Sequence, residues 1–383
     1  MIHHEIKTFT DIEITGVQMS PPRGEQLVRG IRYGPIYPDY YTHTDILCPV
    51  TQRNRECMPA SCPSSKERVI EEPLVWGGHV SAHYGHFLAE TSSRIPQYKH
   101  RGINEKICFS TRKDQLIKPW FWEVLEWYGY SKEDVVLIPV GAIVKKLTCL
   151  PLNEYHLNRQ FTQPEYLSML DQIHPPVPEE DKQGTYYISR TKYKPGFCGE
   201  KYLEIFLEKQ GVEIVYPEQL SVLEQLKIYR KAKSLIFMAG SSVFTLMLLG
   251  TLNCNVLYIT RATHGPNGKS GFARRRHLLH HRCKTLQMLD TPVTAVPAVH
   301  HKPREDGTYL LRRLSHSSTI YLPDALHLSQ SREMHEWVEG LCNWLGTHCD
   351  INVNVSSWNI GDFGVHISKD YLKYIHSTAN MTR

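Results

Sequence analysis

Apolar and polar positions follow no regular period over residues 1–70, which are rich in Pro, Tyr and turn residues and predict short strands and loops. The pattern sharpens from Leu74. It predicts a helix over 82–97, a short strand over 106–110, a helix over 118–128 and a strand over 135–138 that Pro139 stops. That alternation is an α/β lobe. Residues 174–184 (HPPVPEEDKQG) are proline-rich, acidic and aperiodic, as a linker should be. Alternation then restarts: strand 186–189, helix 200–210, strand 212–216, helix 221–233, strand 235–238, helix 243–249 and strand 256–260. Strands and helices alternating at these lengths predict parallel strands joined by right-handed crossovers, a doubly wound nucleotide-binding sheet. Beyond about residue 290 only Met334, Trp337, Val338, Leu341 and Leu345 keep a helical spacing. The expected domains are an acceptor-side α/β lobe over 1–175, a donor lobe over 176–290 and a partly helical extension over 291–383 that packs back on the first lobe.

Length agrees with this division, since 383 residues exceed one ordinary core. A hydrophobic content of 41% and a charged content of 22%, without low-complexity tracts, exclude a disordered chain. The balance of 44 Lys plus Arg against 39 Asp plus Glu is too even to demand a polyanionic partner. Arg274, Arg275, Arg276 and Arg282 lack interleaved aromatic residues, so nucleic acid is not expected as a partner.

The start, MIHHEIK, has no basic n-region or apolar stretch, and the longest apolar run, 243–252, is broken by Thr245, Gly250 and Thr251. Ten irregularly spaced cysteines then read as reduced thiols in a cytosolic chain. Neither Cys48, Cys57 and Cys62 nor the His277, His280, His281 and Cys283 group has the paired spacing of a zinc module. No D-x-D pair is present, the element that metal-dependent sugar transfer uses to hold a divalent ion on a diphosphate.

Several positions carry candidate chemistry. On a helix of 100° per residue, His83, His86, Glu90 and Arg94 share one arc, while Tyr84, Phe87, Leu88, Thr91 and Ile95 form the neighbouring apolar arc. The alternative is a solvated face with an i,i+4 Glu90–Arg94 ion pair. Ala239-Gly240-Ser241-Ser242 stands between an apolar strand and an apolar helix, where free N–H groups and small hydroxyls would cradle a diphosphate. Its plainer reading is a serine N-cap. Arg190 ends a strand at the rim where open α/β sheets bind ligands, with Lys192 and Lys194 nearby. Glu224 and Gln225 suit a ribose, yet Ser221 to Glu224 is equally a capping box. Gly268-Lys269-Ser270 resembles the end of a P-loop, but Thr263 replaces the first glycine and no periodic helix follows.

Together these stretches resemble glycosyltransferase family 61. His83-Tyr-Gly-His-Phe-Leu-Ala-Glu-Thr-Ser-Ser-Arg-Ile is similar to that family's N-Y-x-H-F-x-x-D/E-x-x-x-R-L motif, and Tyr187-Ile-Ser-Arg190 to its strand ending in arginine. Pro217 to Gln225 (PEQLSVLEQ) and Gly240-Ser-Ser are similar to its E-x-L-S-x-x-E-Q and H-G-A segments, in matching order over about residues 75–290. His83 replaces the usual asparagine, and Ala239-Gly240-Ser241 replaces His-Gly-Ala. The first 70 and last 90 residues match no motif of the family.

The resemblance implies a GT-B fold, two Rossmann-like lobes with a cleft between them, and inverting transfer from a UDP-sugar to a saccharide or glycan hydroxyl. A family acid at this position makes Glu90 the expected base, with His86 as its partner and Arg94 and His83 in support. Arg190, Gly240, Ser241, Ser242, Lys194 and Glu224 are the expected donor-binding residues, with Ser221 supporting, and no metal or other cofactor is expected. Capsule-type polysaccharide synthesis on a lipid-linked acceptor would bring the chain to the inner face of the membrane. Two rival readings are separable by experiment. A non-catalytic nucleotide-sugar or saccharide binder would show no turnover with or without Glu90, and an epimerase would need no acceptor.

Overall fold

The computed structural model describes residues 5–20, 30–38, 54–56, 68–154, 161–192, 199–260, 276–290, 298–303, 309–313, 319–321, 332–359, 361–363 and 365–366. Lys194, Cys48, Cys57, Cys62, Arg274, Arg275 and the P-loop-like Gly268–Ser270 stretch lie outside these residues. The chain divides into two compact units, residues 1–175 with 244–251, and residues 176–243 with 252–383. Both are α/β, and both contain parallel strands.

The first unit runs β1 (Lys7–Ser20), β2 (Gly30–Pro35), β3 (Asn54–Glu56), β4 (Arg68–Ile70), β5 (Leu74–His79), α1 (Tyr84–Glu90), α2 (Ile95–His100), β6 (Lys106–Ser110), α3 (Pro119–Trp127), β7 (Val135–Ile138), β8 (Gly141–Cys149) and α4 (Pro164–Ile173). Its sheet has the order β3-β2-β1-β8-β5-β6-β7, with β4 beside β8. β8, β5, β6 and β7 pair parallel, whereas β1 runs antiparallel to both β2 and β8. This sheet is mixed, and β1 is a strand of 14 residues where short strands and loops are expected. Ile12 and Ile14 on β1 join Tyr33, Trp76, Val144 and Leu147 in one buried cluster, which is what holds the long strand in place.

The helix expected over 82–97 is broken. α1 ends at Glu90, Thr91 adopts φ −133°, a 3-10 turn covers Ser92–Arg94, and α2 follows. Ser92 Oγ donates to the Leu88 carbonyl at 2.8 Å, a back-bond that bends helices, and Pro96 has no N–H to continue the ladder. Two glycines of β5 set how closely this region approaches the sheet. A Cβ on Gly77 would lie 2.4 Å from the Phe109 ring, and one on Gly78, at φ +114°, would lie 2.5 Å from Thr91 Cγ2.

Residues 242–248 form a 3-10 run, and from Phe244 to Thr251 the chain belongs to the first unit. The expectation of a second-lobe α-helix over 243–249 is therefore corrected. The segment is fastened by specific bonds: Tyr84 Oη and Thr245 Oγ1 lie 2.8 Å apart, Trp127 Nε1 donates to the Leu248 carbonyl at 3.0 Å, and Asp171 accepts from Thr251 N and Oγ1, each at 2.7 Å.

The second unit contains β9 (Gln183–Ile188), α5 (Glu200–Lys209), β10 (Glu213–Val215), α6 (Val222–Lys231), β11 (Ala232–Met238), β12 (Asn255–Thr260), α7 (Arg276–Leu279), β13 (Thr285–Asp290), β14 (Ala298–Pro303), β15 (Tyr309–Arg313), β16 (Thr319–Tyr321) and α8 (Arg332–Cys349). β10-β9-β11-β12-β13 is an all-parallel sheet, and β14-β15-β16 is a small antiparallel one. The strand order reverses direction between β9 and β11.

α8 corrects another expectation, that the carboxyl-terminal extension packs on the first lobe. Its stripe of Met334, Trp337, Val338, Leu341 and Leu345 is buried with Tyr187, Ile236, Met238, Leu257 and Ile259 of the second unit's own sheet. Ser234 Oγ and Asn255 Nδ2 each donate at 3.1 Å to the His348 carbonyl, satisfying an acceptor at the end of that helix.

Candidate functional site

In an open parallel sheet, ligands bind beyond the carboxyl ends of the strands where the strand order reverses. Here that point lies between β9 and β11, and Arg190 and Gly240 stand there. Arg190 Nη1 donates to the Ala239 carbonyl at 2.9 Å, and a Cβ on Gly240 would lie 2.3 Å from the same nitrogen. Only glycine leaves room for the guanidinium in this position.

The main chain around Arg190 is held by two carboxylates of α5. Glu200, fully buried, accepts from Arg190 N and Tyr187 Oη, both at 2.9 Å. Burial and then the Glu200 charge keep the Tyr187 phenol well above its ordinary pKa, so it stays a donor. Glu204, also buried, accepts from the hydroxyls of Ser189 and Thr191, from Tyr216 Oη at 3.2 Å and from Lys201 Nζ at 2.5 Å. Buried carboxylates are costly unless saturated in this way. Sequence reasoning missed both, although two acids at i and i+4 on the apolar side of an amphipathic helix signal buried carboxylates.

Ser241 and Ser242 follow Gly240 on the same rim and are partly exposed. Ser242 opens a seven-residue 3-10 run, with Ser241 just before it, so the expected α-helical N-terminus is absent from this position. Ser242 Oγ is buried and has no hydrogen-bond partner among the described residues. At Glu224 the capping box is formed: its Oε2 accepts from Ser221 N at 2.8 Å and Ser221 Oγ at 2.7 Å, and Ser221 Oγ accepts from Glu224 N at 3.2 Å. The Ser221 bonds hold its carboxyl below the usual pKa. Gln225 Nε2 donates to the Pro217 and Leu220 carbonyls, at 2.8 and 3.3 Å, and so shapes the turn after β10.

In the first unit, α1 starts just beyond the end of β5, again on a strand's carboxyl side. His86 Nδ1 and Glu90 Oε1 are 2.5 Å apart; the imidazole is 50% exposed, the carboxylate only 2%. The His83 and His86 rings meet edge to face at 4.8 Å. Glu90 and Arg94 are both buried, which removes the alternative of a solvated face and also corrects the single polar arc. That arc assumed one continuous helix, and the break at Thr91 redirects the chain. His79, the last residue of β5, was not singled out from the sequence. It is buried, 3% exposed, against Tyr33 with ring centroids 4.1 Å apart. Burial lowers its pKa to about 4; the charges of His86, Arg112 and Arg94 act in the same direction and Glu90 opposes them. His79 is thus a neutral imidazole at neutral pH. Among the described residues no group of three or more His, Cys, Asp or Glu side chains could hold a metal ion.

The His86–Glu90 pair can accept and pass a proton, and the Arg190–Gly240 rim can receive an anion. A family model described as Glycosyltransferase 61 matches residues 84–257, from the first residue of α1 into β12, a span that contains both groups. A comparison with curated proteins finds no match. Over residues 84–257 the chain is similar to glycosyltransferase family 61, whose members move a sugar from a donor to an acceptor.

Proposed function

We propose that the chain is an inverting, metal-independent enzyme of the GT-B class that moves a sugar from a UDP-sugar to a hydroxyl of a saccharide acceptor. The observation that carries this reading is the Arg190 guanidinium lodged against Gly240 at the reversal point of the parallel sheet. A cation fixed there, with the N–H groups and hydroxyls of Ser241 and Ser242 beside it, suits a diphosphate leaving group. Lys192, two residues further on, adds positive charge.

The first unit supplies the base. The acceptor oxygen attacks the anomeric carbon as its proton passes to the His86 imidazole, and the bond from that carbon to the diphosphate oxygen breaks on the opposite face. Sequence reasoning assigned the base to Glu90. We assign it to His86, because the half-exposed member of the pair can touch an acceptor and the buried one cannot. Glu90 is then a positioning residue that fixes the ring and offsets the charge it gains. Saccharide polymer synthesis in a reducing cytosol, with a lipid-linked acceptor at the inner membrane face, remains part of the proposal on sequence grounds, as does the absence of a nucleic-acid partner.

Calorimetry with UDP tests the donor site. Arg190→Ala should weaken binding by about 1.5–3 kcal/mol, the scale of a hydrogen bond to a charged group. Gly240→Ala should weaken it similarly, because the added methyl displaces Nη1 from its seat. EDTA should change nothing. An unchanged Kd in a folded Arg190→Ala variant, or strict dependence on Mn²⁺, would sink this reading.

A further inference from the structure

One side of α1 carries the His86–Glu90 pair, and another holds an aromatic ring that the proposed chemistry does not use. The Trp120 indole, in the first turn of α3, packs against the Tyr84 and Phe87 rings, with centroids 5.4 and 5.5 Å away. Its supports are themselves fixed. Phe87 and Phe109 each meet Phe121 at 5.2 Å, and Tyr84 Oη lies 2.8 Å from Thr245 Oγ1. The loop before α3 is fastened as well: Gln115 Nε2 donates to the Val80 carbonyl at 2.9 Å, which ties it to the stretch leading into α1. Trp120 is nevertheless only partly buried, and its indole N–H has no hydrogen-bond partner among the described residues. On the same helix Trp127, by contrast, gives its N–H to the Leu248 carbonyl.

A fixed, partly exposed indole with an uncommitted donor matches a sugar ring, whose C–H groups pack on the π face while a hydroxyl oxygen accepts from the N–H. Its distance from the base decides which sugar. Tyr84, His86 and Phe87 lie within one turn of α1, so Trp120 and the His86 imidazole stand apart by one helix width, roughly 10 Å. That separation exceeds a single sugar ring and suits two joined ones. The sugar that gives its proton to His86 is therefore not the one that covers Trp120.

We infer that Trp120 is an acceptor subsite that stacks the sugar adjoining the reacting one, so that the enzyme takes joined sugars in preference to a free monosaccharide. This rests on the acceptor side of the function proposed above. The test titrates sugars by NMR into the full chain with UDP present, for the unaltered protein, Trp120→Leu and Trp120→Phe. The probes are the methyl glycosides of glucose, galactose, mannose, xylose and N-acetylglucosamine, and the disaccharides cellobiose, lactose, mannobiose, xylobiose and chitobiose. In the unaltered protein a disaccharide should bind about 10-fold more tightly than its monosaccharide. Trp120→Leu keeps apolar contact with Tyr84 and Phe87 but has no π face. It should erase that advantage and leave the monosaccharide and UDP affinities unchanged. Trp120→Phe retains a π face without the N–H and should keep part of the advantage, a graded pattern that lost packing alone would not give. If no disaccharide is favoured by the unaltered protein, or if the advantage survives in Trp120→Leu, the inference is overturned, and UDP binding in the same samples leaves the donor site standing. Should UDP not bind either, the proposed function fails with it.

Discussion

Glu90→Gln is expected to lower kcat by about 10²- to 10⁴-fold, the range for losing general base assistance, while leaving the Kd for UDP within about twofold. The substitution keeps shape and hydrogen-bonding capacity but removes a charge that is 2% exposed and 2.5 Å from His86 Nδ1. Under the proposed mechanism, the imidazolium formed as the acceptor loses its proton depends on that buried charge for stabilisation. His86→Ala should cost a similar factor. The double variant should be little worse than either single one, because the two groups act as a unit. Packing alone would not move the acidic limb of the rate–pH profile. Loss of the carboxylate should move it to lower pH, since a neighbouring negative charge favours a protonated imidazole. Turnover that survives His86→Ala but not Glu90→Gln would return the base to Glu90. Survival in both variants would make the pair structural.

The second large effect concerns stability. His79 holds off its proton to about pH 4 in the folded protein, against 6.5 when unperturbed, chiefly because it is buried. Between those values the unfolded chain binds the proton and the folded chain does not, so acidification favours unfolding. The contribution is whole above pH 6.5 and is lost as pH falls through the window, amounting to about 3 kcal/mol at 1.4 kcal/mol per unit. His79→Phe preserves an aromatic ring against Tyr33 and removes the titration. Urea midpoints at pH 7 and pH 4.5 should separate more in the unaltered protein than in His79→Phe. Equal separations would mean that His79 is protonated within the fold.

His79 also marks a boundary of what the sequence makes legible. Strands such as β11 and β12, buried on both faces, stand out as apolar runs, and the stripe of α8 stands out by its spacing. Arg190 and Gly240 are visible because a strand end is a local feature. β1 is less so: Ile12 and Ile14 alternate with polar residues over too short a stretch to outweigh the turn residues around them. β8 is hidden by Lys145 and Lys146, two exposed residues in the middle of the strand. The burial of Glu90 cannot be read from periodicity, because an acid on a helix predicts solvent until its tertiary partners are known, whereas Glu200 and Glu204 at least stand on the apolar side of α5. The partner of α8 is equally non-local, since a stripe says that something covers it and not which sheet does so.

The segment 244–251 gives the molecule a property that its linker conceals. Phe244, Leu246, Met247, Leu248 and Leu249 are all buried, and Tyr84, Trp127 and Asp171 spend hydrogen bonds on this stretch. A fragment ending at residue 175 would thus lack a piece of its own interior, exposing an apolar socket and leaving polar groups unmatched. The two units cannot be separated by any single cut in the chain. Exchange of the second unit between relatives would have to treat 244–251 as part of the first unit: a recombination joint placed at the proline-rich stretch, where the sequence invites it, would carry across a plug shaped for another protein's socket.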